Sequence, residues 1–136
     1  VDEKKMALQV FAGNNSQEDY GIYLIGGLPL GDTKLSDLTI EIDDEIEKLK
    51  SELISERDFE KIQNIFESQY VSSNSTIQGI ANSLARYHVL YGDVNLINNE
   101  IDIYRSVTRE EIQEVAKLYL NKNQRLELKY LPKNNQ

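Results

Sequence analysis

The sequence predicts an α+β fold in which an antiparallel β-sheet is covered by helices, with about three strands and five helices. Three observations lead there. Two apolar runs flank a polar turn near the start of the chain, hydrophobic residues then recur at spacings of three and four through the middle, and an alternating segment closes it.

The leading runs are "KMALQVFAG" and "DYGIYLIGGL", separated by "NNSQE". β-Branched, aromatic and aliphatic side chains suit a pleated surface, and the polar connection suits a hairpin. Apolar residues occupy both alternating sides, Met6, Leu8 and Val10 against Ala7 and Phe11, which predicts cover on each face. "GLPLGD" breaks the pattern, and Leu35, Leu38, Ile42, Ile46, Leu49 and Leu53 then trace the stripe of a long amphipathic helix.

Ser55 followed three residues later by Asp58 is a carboxylate variant of the capping box, and Phe59, Ile62, Phe66 and Tyr70 carry a second long helix. "SSNST" interrupts it, because serine, threonine and asparagine compete for backbone hydrogen bonds. Ile77, Ile80, Ala81, Leu84, His88 and Tyr91 define a third helix that "YGDVN" ends. Ile97, Ile101 and Tyr104 mark a short fourth helix. Thr108 with Glu111 opens a fifth, whose stripe is Ile112, Val115, Ala116 and Tyr119. In "RLELKYLP" Leu126, Leu128 and Tyr130 alternate with Arg125, Glu127 and Lys129, the pattern of a half-exposed strand ended by Pro132.

Composition excludes several function classes. The chain has 136 residues, a length that predicts a single domain, 1–136. A net charge of −8 opposes the clustered cationic surface that nucleic acid requires, so no nucleic-acid partner is expected. No apolar run reaches the roughly 20 residues needed to span a bilayer, so no membrane insertion is expected. The absence of cysteine removes any disulfide framework, thiol nucleophile or thiolate metal site and leaves the compartment open. The chain begins at Val1 without a signal-like segment, which reads as a piece of something longer.

From Gly79 to Pro132 the sequence resembles the end of the C-terminal domain in the insulinase or pitrilysin family of zinc metallopeptidases, most closely its short bacterial members. The likeness is carried by the tyrosine–glycine turn at Tyr91 and Gly92, the "V-T-x-E-x-I" opening at Val107 to Ile112, "V-A-x-x-Y-L" at Val115 to Leu120, and the closing "Y-L-P". Each is common alone, and their order and spacing together are more specific. The resemblance implies a partial C-terminal domain whose first family strands lie upstream of Val1. It further implies a non-catalytic wall of a peptide-enclosing clamp, packed against a zinc-bearing half on the same or another polypeptide. The alternatives it leaves are a structural assembly subunit, like the family's inactive members, and the supporting domain of a working zinc endopeptidase. An envelope location is implied, the periplasm first, with the cytoplasm as the alternative.

The family's zinc motif, H-x-x-E-H with a distant glutamate, has no match here, and one histidine among carboxylates cannot supply it. No catalytic residue, metal ligand or cofactor is therefore expected in this chain, and zinc is expected only in the parent or partner half. Active members also use an arginine and, seven residues later, a tyrosine to hold the substrate backbone. Aligning "VDEKKMALQ" with that motif places Asp2 and Gln9 at those positions, so no substrate-binding residue is carried over.

The remaining candidates read more simply. His88 falls on the apolar stripe and reads as a core or helix-end residue satisfied by backbone. "DDEIE" at Asp43 to Glu47 lacks the alternating oxygens and glycine of a calcium loop and reads as a solvated acidic face. "GGLPLGD" lacks the lysine and hydroxyl residue of a phosphate loop and reads as a strand-to-helix turn. Tyr87, Tyr91, Tyr104 and Tyr119 read as packing residues with a polar handle.

Overall fold

The computed structural model describes residues 4–131. Its elements are β1 (Ala7–Ser16), β2 (Gly21–Pro29), α1 (Leu35–Ser51), α2 (Glu56–Ser73), α3 (Ile77–Tyr91), α4 (Leu96–Ser106) and α5 (Arg109–Tyr119), followed by one 3-10 turn at Lys122–Gln124. They divide into two compact units, Val1–Lys50 with Ala116–Gln136, and Ser51–Val115.

In the first unit β1 and β2 pair antiparallel, from Ser16 opposite Gly21 to Ala7 opposite Pro29. The strands run further than the apolar letters suggest. Asn14, Asn15 and Ser16 continue the ladder, and the turn closes where the Gln17 N–H donates to the Tyr20 carbonyl at 2.7 Å. A register irregularity between Ala7 and Gln9 breaks strict alternation, so Leu8 and Val10 need not share a side as a period of two would require. One side of the hairpin meets α1 closely: a Cβ on Gly27 would lie 2.8 Å from Leu38 Cδ2. Glycine there lets Leu38 seat against bare backbone, and Leu38 is 5% exposed.

The expected cover on both faces is not found among the described residues. Phe11, Ile22, Leu24 and Leu28 are all about half exposed. Two strands alone cannot bury two apolar faces when only one of them receives a helix.

The expected third strand is also absent among the described residues, so the sheet has two strands rather than about three. Arg125 leaves the 3-10 turn with extended backbone, at φ −109° and ψ 139°, but "RLELKYL" joins no ladder among the described residues. Alternation predicts an extended chain; a strand also needs a neighbouring edge to exchange hydrogen bonds with. Pro132, expected to end that strand, lies outside the described residues.

In the second unit the helix boundaries follow the caps. Ser55 Oγ accepts from the Asp58 N–H at 3.1 Å and donates to the Asp58 carboxylate at 2.6 Å, starting α2. Thr76 Oγ1 accepts from the Gly79 N–H at 3.0 Å, starting α3. Gly92, at φ 68°, ends α3 in the left-handed region that an L side chain rarely adopts. Thr108 and Glu111 form the reciprocal box, with the Thr108 N–H donating to Glu111 Oε2 at 2.8 Å and the Glu111 N–H to Thr108 Oγ1 at 3.2 Å.

α2 and α4 pack through rings. Phe66 and Tyr104 stack with centroids 5.4 Å apart, and the Tyr70 hydroxyl donates to the Ile97 carbonyl. Tyr104 donates to Glu100 at 2.9 Å, and desolvation followed by that carboxylate pushes its pKa up to about 12.

Candidate functional site

The candidate residue at the family's arginine position, Asp2, lies outside the described residues. Gln9 is on β1 opposite Leu28, exposed and beside the register irregularity. Its amide offers hydrogen bonds to solvent but not the phenol of the family position.

His88 is exposed on the last turn of α3, where its backbone carbonyl accepts from the Gly92 N–H at 3.1 Å. The helix-end placement matches the sequence reading and the core placement does not. The stripe that buries Tyr87 turns its neighbour outward, since adjacent helical residues do not share a face.

The residues present do not fit zinc. Among the described residues no group of three histidine, cysteine, aspartate or glutamate side chains is placed to hold a metal ion, and the chain's one histidine stands on an exposed helix end.

What unit one does form is an apolar cleft of about 600 Å³ between the hairpin and α1. Val10, Tyr23 and Ile25 line one side, Leu38, Ile42, Ile46 and Leu49 the other, and Leu120 contributes from beyond α5. Leu38 to Leu49 of the stripe read along α1 thus form this wall, while Leu35 does not line it and the helix ends at Ser51, leaving Leu53 outside. At the rim Lys4 pairs with Glu41, and Lys48 donates to Glu45 at 2.7 Å, holding that carboxyl below its usual range. Such a lining can bury aliphatic or aromatic groups.

The acidic run on α1 is not uniformly solvated. Asp43 turns toward the chain after α5 and pairs with Arg125 and, at 3.0 Å, with Lys122. Glu127 accepts from Thr39 Oγ1 at 3.3 Å. Sequence spacing could not reveal these contacts because 79 to 88 residues separate the partners along the chain. The hydrogen bond from Arg125, opposed by desolvation and assisted by Lys122, holds the Asp43 carboxyl below its usual range.

A carboxylate whose folded pKa is depressed stabilises the fold above its unfolded pKa, about 4, and loses that contribution as pH falls through the lower folded value. Asp43→Asn is therefore expected to lower the urea-unfolding free energy by about 1 kcal/mol at neutral pH. The deficit should vanish in strong acid. A constant difference from pH 7 to pH 2, followed by circular dichroism, would show that the charge is irrelevant.

No protein-family profile and no curated protein sequence matches the chain. Solved structures do. The inactive peptidase domain of a candidate zinc protease from Bordetella parapertussis superposes with a TM-score of 0.83 at 20% identity, over 97% of this chain and 70% of that one. A protease from Helicobacter pylori gives 0.80 at 23% identity, over 90% of this chain and 30% of that one. The periplasmic protease PqqL from Escherichia coli gives 0.66 at 17% identity, over 88% of this chain and 13% of that one. An α+β arrangement of two antiparallel strands and five helices, superposing on these chains over most of its length, has the fold of a zinc-protease peptidase domain.

Proposed function

We propose that this chain is a non-catalytic, C-terminal type of domain from an insulinase-like zinc metallopeptidase or peptidase-like protein. It forms one wall of a peptide-enclosing clamp and packs against a zinc-bearing half on the same or another polypeptide. The observation that carries this reading is apolar surface left open in a domain with a peptidase fold. The largest side chains are nowhere fully buried among the described residues, while Phe11, Leu24, Leu28 and the cleft beside α1 stand exposed. The fold match to an inactive peptidase domain supports a role without chemistry, as does the absence of H-x-x-E-H from the sequence. Zinc belongs to the other half, and a metal-activated water there would be the nucleophile. The likeness to PqqL supports the periplasm as its place of work. The fold match to proteases of which this chain covers only 30% and 13% equally supports a supporting domain of a working endopeptidase.

The test is peptidase activity of the purified 136-residue chain on unstructured peptides with zinc supplied. No turnover is expected. Chelator-sensitive hydrolysis that co-purifies with the chain through successive columns would falsify the non-catalytic assignment. For the clamp, the gene region on either side of this chain should encode H-x-x-E-H with a distal glutamate, in the same or an adjacent reading frame. A region without it would leave the structural-subunit reading in its place.

A further inference from the structure

We draw no further inference here: the strongest candidate, the exposed apolar surface of the β1–β2 hairpin at Phe11, Ile22, Leu24 and Leu28, carries nothing because nothing in the structure shows what covers it.

Discussion

Replacing Gly79 with alanine is expected to destabilise the second unit by about 2–4 kcal/mol, although alanine is the better helix former by about 1 kcal/mol. Gly79 lies in the first turn of α3, directly beneath the end of α2. A Cβ at this position would lie 1.8 Å from the Ser73 carbonyl oxygen and 3.0 Å from its carbon. The obstacle is backbone at the last residue of α2, not the flexible tip of a side chain, so relief requires separating two helix ends. That separation disturbs the Thr76 hydroxyl, which caps α3 through the Gly79 N–H, and the Ser83 hydroxyl, which donates to Asn74 Oδ1 at 2.8 Å. Urea unfolding monitored at the helix signal measures the effect. A variant as stable as wild type would mean that the helix junction yields freely, and one more stable would mean that propensity outweighs the close approach.

Leu38→Ala is expected to cost about 2–3 kcal/mol, toward the low end for a buried leucine. Leu38 is the one residue of α1 that is buried, and it fills the space a side chain at position 27 would otherwise occupy. Its removal forfeits apolar burial and enlarges a cleft of about 600 Å³ that is already open, so solvent can enter and part of the cavity cost is relieved. The check is the denaturation midpoint together with binding of a hydrophobic dye. The variant should unfold earlier and take up more dye. An unchanged midpoint would place the stability of this unit in the hairpin and the ion pairs of Asp43, with little from the α1 contact.

Much of the secondary structure was legible because its determinants are local. The Ser55–Asp58 and Thr108–Glu111 boxes act within one helical turn, Gly92 acts through its own backbone angle, and the three-and-four spacing along α1 and α2 depends only on helical geometry. The candidate site was less legible. Gln9 could be assigned to β1, but nothing in its neighbours announced the register irregularity beside it. His88 follows the apolar spacing of α3, yet the ring that turns inward is that of Tyr87, because spacing along a helix does not fix which side meets a neighbour.

The sequence by itself determined the helices, the hairpin, and the lack of a two-histidine zinc motif, since each follows from residue type and short spacing. Only the tertiary structure decided which apolar residues are covered. Ala7 on the hairpin and Leu38 on α1 are buried while Phe11 and Leu28 on the hairpin are not, since burial depends on what arrives from elsewhere in the chain. It also decided that "RLELKYL" joins no ladder among the described residues, and that Asp43 faces Arg125 and Lys122 within the first unit. Alternation and charge are properties of a segment; a ladder and an ion pair are properties of two segments, and their meeting is set by long-range packing that local spacing does not encode.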